Sequence, residues 1–424
     1  MIPNRRAGSR ARRWAGLAAA LSLAVTGCGP GAAADPNTLT VSVWNLASTP
    51  EFQALFDAFE QANPGVTVKP VDIVAADYPE KVTTMLAGGD RTDVITMKNV
   101  TDYARHSSRG QLQDVTDLVE PLEPQGLQGL EAFESEGRYF AAPYRQDFWV
   151  LYYNKTLFQQ AGVPAPENWT WAEYADAAKK LTTGSGGDKT FGAYHHVWRS
   201  VVQAIAAAQN DGDQLSGDYG FFTEQYTTAL RMQQDGSVLD YGAITTQQAD
   251  YRSTFERART AMMPMGTWYT SSIIKAKREG DSQVDWAIAP LPQRAEGGEV
   301  ATFGSPTAFA ANRNADNSDL AREFVAFAAG EEGAKAITKV GVVPALRSEA
   351  LTDAYFQLDG MAKDELSTAA FRPDHVALEM PVSKRSSAVD TILKEEHELI
   401  MVGEKSVADG IRDMGERVRT EAPE

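Results

Sequence analysis

Residues 38–71 read TLTVSVWNLASTPEFQALFDAFEQANPGVTVKPV. Residues 39–44 alternate and are rich in β-branched side chains, the pattern of a half-buried strand. Thr49-Pro50-Glu51 then supplies a capping hydroxyl, a proline for the first helical turn and an acid near the positive helix end. Phe52, Leu55, Phe56 and Phe59 give the helix one apolar face. Asn63-Pro64-Gly65 stops it, and residues 66–71 form a second strand. The alternation continues with a helix over 78–86, ended by Gly88-Gly89, and a short strand over 93–97. Strand–helix–strand–helix–strand predicts an α/β fold, a parallel sheet with helices on both faces. Ligands of such sheets lie beyond the carboxyl ends of the strands. That position holds Trp44, Asn45 and Ser48 after the first strand, and Lys98 and Asn99 after the third. Trp44 is expected to pack under the strand it ends.

Outward from this unit, residues 148–153 form an apolar extended segment, and a helix follows Asn154. Thr170 and Glu173 have capping-box spacing. Residues 182–189 form a Gly/Ser-rich loop. The stretch 195–234 reads as mostly helical, broken at Asn210-Asp211-Gly212-Asp213. Strands are expected over 284–289 and 302–311, an amphipathic helix over 320–329, and helices from Ser387 onward.

The other end of the chain is of a different kind. Arg5, Arg6, Arg10, Arg12 and Arg13 form a basic head without an acid, and residues 14–27 carry no charge. That run is shorter than the roughly 20 residues a membrane-spanning helix needs. It has the layout of a secretory signal peptide, assigned here to residues 1–27. Arg12-Arg13 also admits twin-arginine export beside the general secretory route. Cys28 is the only cysteine of the 424 residues, so no disulfide forms within the chain despite export to an oxidising space. Residues 28–37, mostly small, read as a tether. The chain has 40 basic and 57 acidic residues, and five of the basic ones lie in the head, so the exported part carries −22. That charge argues against a nucleic-acid partner.

Val25-Thr26-Gly27-Cys28 resembles a bacterial lipobox, in which the cysteine becomes the N-terminus and carries lipid on its sulfur. Ten further pieces, in order between about residues 38 and 350, resemble the extracellular solute-binding proteins of sugar-importing ABC transporters, the group that includes maltose-binding protein. Among them are TLTVSVWN, GRYFAAPYRQDFWVLYYNKTLFQQAGV, AMMPMGTWYTSS, VDWAIAPLPQ and VGVVPALRSEA. The resemblance implies a two-lobed, type II periplasmic-binding-protein-like fold with a ligand cleft between lobes joined by three crossings. Those are placed near 144–147, 290–293 and 328–331. Lobe 1 is then 38–144 with 292–329, and lobe 2 is 148–289 with 332–415. The implied function is capture of a carbohydrate, a di- or oligosaccharide, and its delivery to the transmembrane subunits of an ABC permease. The protein would be a monomer held at the outer face of the cell membrane by lipid on Cys28.

A sugar offers hydroxyls at its rim and weakly polar C–H faces, so its site needs polar or charged groups and flat aromatic surfaces. By the resemblance, Trp268 in Gly266-Thr267-Trp268-Tyr269 is the leading stacking ring, with Tyr269 beside it. Asp147, seven residues before Asn154, matches a sugar-binding carboxylate of the family. As a charge within an apolar strand it is otherwise expected to pair with Arg145. Trp198 lies where relatives place aromatic contacts, and Ser305 lies in a segment that lines their cleft. Trp149, Trp169, Trp171 and Trp286 are assigned to packing. The region 380–389 has no aromatic, although some relatives carry a stacking ring there.

No H-E-x-x-H, G-x-S-x-G, C-x-x-C or G-x-x-x-x-G-K motif occurs, so no cofactor, metal or catalytic residue is expected. A lipid-anchored glycan sensor or adhesin on the same fold is the nearest competing reading. A carbohydrate-active enzyme would need two carboxylates set across a cleft, and no motif supports that.

Overall fold

A computed structural model describes residues 35–423. The signal peptide, the lipobox with Cys28 and most of the tether lie outside the described residues.

Nine strands form the main sheet: β1 Thr38–Trp44, β2 Thr67–Ile73, β3 Val94–Met97, β4 Ala142–Asn154, β5 Phe191–Ala193, β6 Thr260–Gly266, β7 Trp286–Ala289, β8 Ala301–Ala311 and β9 His375–Leu378. Their order is β2-β1-β3-β8-β4-β6-β5, with β9 paired to β8 and β7 paired to β4. β1 runs parallel to β2 and to β3, as the opening stretch requires. β8 is antiparallel to both β3 and β4, and its register on β4 shifts between Thr307 and Ala308.

The strand–helix alternation at the start is realised closely. Helices span Pro50–Ala62 and Tyr78–Ala87. Phe52, Leu55, Phe56 and Phe59 are buried on one face. Asn63 caps the helix end, and Gly65 then takes the left-handed φ of 99° that a side chain would resist. Thr49 sits at the N-cap but makes no side-chain cap bond, whereas Thr170 and Glu173 make both bonds of the capping box. The stretch 195–202, expected to be helical, is irregular except for one tight turn, Arg199–Val201.

Two cores divide the body. The first holds Val41, Phe52, Phe59, Tyr144, Phe309 and Phe324. The second holds Trp149, Tyr174, Met262, Tyr269, Trp286 and Phe303. A smaller helical cluster joins Tyr226, Met380, Leu393 and Met414. β4 passes from one core to the other between Tyr144 and Phe148. The other two transitions lie later than the sequence expectation. Ala289, Leu291 and Phe303 all pack in the second core, and β8 reaches the first only at Ala308. Pro290 and Pro292 therefore mark a turn inside one body rather than a boundary. Likewise Gly330 only joins the helices Ser318–Ala329 and Glu331–Thr338. Ala334, Ile337, Leu346 and Leu351 stay in the first core, and Tyr355 is in the second. Residues from 332 onward, assigned to lobe 2, thus begin in the first core, because the amphipathic pattern of the first helix runs on through the second.

Among the described residues, no helix is long and apolar enough to cross a membrane. None of their His, Cys, Asp and Glu side chains form a group of three or more that could hold a metal ion.

Candidate cleft between the two cores

A cleft of about 1560 Å³ opens where β1, β3, β4 and β8 meet, with walls from both cores. Its floor is a buried ion triad. Arg145 Nε lies 2.9 Å from Asp147 Oδ2, and a guanidinium nitrogen contacts Glu51. Thr267 Oγ1 donates to Asp147 Oδ1 at 2.9 Å, and Arg145 Nε donates to Thr307 Oγ1 at 3.2 Å. Burial raises the pKa of both carboxyls, and the Arg145 charge opposes the rise. Burial also disfavours the guanidinium charge, but Asp147 and Glu51 more than offset it. Asp147 thus pairs with Arg145, as a charge in an apolar strand was expected to, and it also lines the cleft. The backbones of β4 and β8 touch closely here: a Cβ at Gly304 would lie 2.0 Å from the Asp147 carbonyl oxygen.

One wall is aromatic. Trp268 is partly buried, while Trp198 is 40 % exposed. Their ring centroids lie 6.1 Å apart. Trp149 stands behind both, edge-on, at 5.7 Å from Trp268 and 6.3 Å from Trp198. Tyr251 continues the row at 6.0 Å from Trp198. The Trp268 ring folds back over Gly266, where an added Cβ would lie 1.8 Å from it. Only glycine leaves that space. Burial lowers the His196 pKa to about 4, so the imidazole packed on Trp198 is neutral at pH 7.

The opposite wall comes from the strand ends. Asn45 has a left-handed backbone, and its Oδ1 accepts from the Ala75 N–H at 3.0 Å. Asn99 is a helix N-cap. Its Oδ1 accepts from the Asp102 N–H at 2.7 Å, and its Nδ2 donates to the Asp102 carboxylate at 2.9 Å. Lys98 Nζ donates to the Ala75 carbonyl at 2.7 Å and sits 5.4 Å from the Trp44 ring centre. Burial lowers its pKa to about 8, against the favourable charge of Asp102. Ser305 lies on β8 at the floor. Among the described lining residues, its Oγ is the one buried side-chain polar atom without a hydrogen-bond partner.

The structure therefore brings Trp268, Asp147, Trp198, Asn45, Asn99, Lys98 and Ser305 to one cleft. It does not bring Tyr269. That ring is fully buried, packs 5.0 Å from Tyr152, and its hydroxyl donates to Glu256 at 3.2 Å. Tyr269 opens the helix Tyr269–Glu279, whose first turn directs it into the second core while Trp268 faces the cleft.

Several lining residues escaped the sequence reading. Trp149, assigned to packing, is buried and also lines the cleft, as does Trp44, which was placed at the strand end but expected to pack. Glu51, read as a helix-start acid, is part of the ion triad. Arg199 is buried and pairs with Asp390 at 2.6 Å. Glu379, its pKa raised by burial, accepts from the Ser200 hydroxyl. Of Glu51, Arg199 and Glu379, only Arg199 had any signal, as the neighbour of Trp198.

Comparison with known proteins identifies the arrangement. The family model described as bacterial extracellular solute-binding protein matches residues 44–335. A sugar transporter of Rhizobium etli, solved in an open conformation, is 32 % identical, has a TM-score of 0.76, and is matched over 90 % of this chain and 99 % of its own. A Brucella abortus chain named only as a binding protein is 24 % identical over 423 residues, 94 % of this chain and 98 % of its own. An arabinooligosaccharide-binding protein of Halalkalibacterium halodurans is 24 % identical over 292 residues, 64 % of each chain.

Proposed function

Because the chain belongs to the bacterial extracellular solute-binding protein family, we propose that it captures a carbohydrate, a di- or oligosaccharide, in this cleft and delivers it to the transmembrane subunits of an ABC importer. The observation that carries the reading is the pairing of Trp198 and Trp268 with the buried Glu51–Arg145–Asp147 floor. Indole faces suit the C–H faces of a sugar ring. Fixed charged groups and the free Ser305 hydroxyl suit its rim of hydroxyls. The similar sugar transporter and arabinooligosaccharide-binding protein support the same ligand class.

Trp268 and Trp198 are assigned to stacking, and Asp147, Lys98 and Ser305 to hydroxyl contacts. β4 and β8 carry the crossings about which the lobes would close on the ligand. The role is binding and release without chemistry on the sugar. Lipid on Cys28 would hold the protein as a monomer at the outer face of the membrane, within reach of the permease.

A thermal-shift screen tests this reading, with mono-, di- and oligosaccharides, sugar phosphates and polyamines as probes. A ligand at 100 times its Kd adds about 2.7 kcal/mol to the folded state. A rise in Tm with one glycan class is expected. A rise only with polyamines or phosphates overturns the carbohydrate assignment.

A further inference from the structure

The aromatic rings occupy only part of the cleft. Its volume of about 1560 Å³ exceeds the roughly 300–1,000 Å³ of a pocket for a drug-sized ligand. The remaining wall is formed by the helix Ser386–Met401, which lies beyond the 44–335 stretch shared with the family model. One side of this helix packs Val389, Ile392, Leu393 and Ile400 into the third cluster. Another side presents Asp390, Lys394 and Glu398 to the cleft. A spacing of four puts these three on one helix face. Asp390 is already engaged by Arg199. Lys394 and Glu398 are exposed, and neither side chain has a hydrogen bond or ion pair among the described residues. The helix supplies no ring to the lining; the cleft's tryptophans and Tyr251 come from other segments.

This wall stands against the first lobe. Arg105 lines the cleft from the helix Val100–Ser108, and its guanidinium bonds Ser387 at the start of the helix Ser386–Met401 and Thr83 at 3.1 Å. Through Arg105, the start of this helix is tied to the strand-end side of the cleft.

We infer that Lys394 and Glu398 form a polar subsite for the distal rings of a linear oligosaccharide of three or more sugars, whose near end stacks on Trp198 and Trp268. The inference rests on the carbohydrate reading and narrows it. A ring bound by hydroxyls alone needs a donor and an acceptor fixed at neighbouring positions. Lys394 supplies three N–H donors and Glu398 two acceptor oxygens, one helical turn apart. A monosaccharide or disaccharide held at the tryptophans would leave both groups to water.

The test is isothermal titration of the full-length chain and its variants with ladders of increasing length: maltose to maltohexaose, arabinobiose to arabinohexaose and cellobiose to cellohexaose. In the ladder that binds, the tetraose is expected to bind at least fivefold more tightly than the biose. Lys394→Ala and Glu398→Gln are each expected to cut that tetraose-to-biose ratio at least threefold. Both side chains are exposed, so neither change removes packing. A ladder whose affinity does not change with length overturns the inference and leaves the carbohydrate reading standing. Variants that weaken biose and tetraose equally also overturn it. Binding of no member of any ladder overturns the inference together with the reading beneath it.

Discussion

The two walls of the cleft differ in how far their side chains are already engaged. On the strand-end wall, the amides of Asn45 and Asn99 are engaged by the loops they belong to, bonding Ala75 and Asp102. On the opposite wall, Trp198 keeps 40 % of its surface open. Ser305, on the floor between them, keeps an unpartnered hydroxyl. Both walls line the cleft, but the amides of the strand-end wall already have partners. Position beyond a strand end locates a site; whether a side chain is already satisfied decides what it contributes there. A saturated amide makes the wall rigid, and preorganisation of that kind lowers the cost of binding without touching the ligand.

The sharpest way to break this contrast is at the floor, where structure and binding are least separable. Asp147→Ala leaves Arg145 and Glu51 buried with one carboxylate missing. Breaking a buried pair from one side costs about 3 kcal/mol. A lower Tm and a lower denaturant midpoint are therefore expected together with a loss of affinity. Denaturant melts of Asp147→Ala beside Asp147→Asn check it, since the amide keeps the shape and the Thr267 contact. Equal stability of wild type and Asp147→Ala would detach the ion triad from the fold.

On the aromatic wall the expected effect is smaller in stability and specific to binding. Trp268→Ala is expected to weaken carbohydrate affinity at least tenfold, about 1.4 kcal/mol. Gly266→Ala should reach the same endpoint indirectly and more weakly. Its new methyl group would occupy the space of the Trp268 ring and turn that ring from its place. Titration of both variants against the best glycan of the screen, with near-ultraviolet circular dichroism of the indoles, separates displacement from loss. Unchanged affinity in both variants would remove Trp268 from the site.

On the strand-end wall the order reverses. Asn99→Ala removes an N-cap, a change that costs about 1 kcal/mol, and Asn45→Ala frees the Ala75 loop. Both variants are expected to lower Tm while keeping the affinity of the wild type. A large loss of affinity at constant Tm would place these amides on the ligand and erase the difference between the walls.

The sequence carried much of this because its strongest signals are local. Alternation over 39–44, the phenylalanines from 52 to 59 and the Thr170–Glu173 box each act within a few residues, and the structure contains all of them. Of the three crossings implied by the resemblance, only the one placed near 144–147 coincides with a passage between the two cores. Proline at 290 and 292 and glycine at 330 carried turn information, which does not distinguish a turn inside a core from a passage between cores. Most of the residues singled out by strand end and by resemblance line one cleft, yet its far wall had no signal in the sequence. Asp390, Lys394 and Glu398 come to the cleft through packing of the last two helices on the segment 203–234, a contact across nearly 200 positions that leaves no local pattern. Tyr269 failed for the converse reason, since adjacency to Trp268 says nothing about which side of a helix start a ring takes.

Lys98 is where the contrast between the walls is least settled by geometry, and its titration gives the smallest and finest test. It belongs to the engaged wall, because Nζ holds the Ala75 carbonyl. An ammonium has three donors, however, and one bond leaves two for a ligand. Burial lowers its pKa to about 8, whereas the unfolded chain titrates this group near 10.4. The unfolded state therefore holds the proton more tightly, and between pH 8 and about 10.4 the contribution of Lys98 to stability increases with pH. Affinity should run the other way, because the neutral amine that forms above pH 8 is a weaker donor to sugar hydroxyls. From pH 7 to pH 9 the wild type is expected to gain stability relative to Lys98→Met and to lose about two- to threefold in affinity, a charge-assisted bond being roughly twice as strong as a neutral one. Affinity in Lys98→Met should be flat over that range. Opposite slopes in the wild type would make Lys98 the one group of its wall that both braces the loop and meets the ligand. Flat affinity in both proteins, with the stability difference intact, would return it to the side of Asn45 and Asn99.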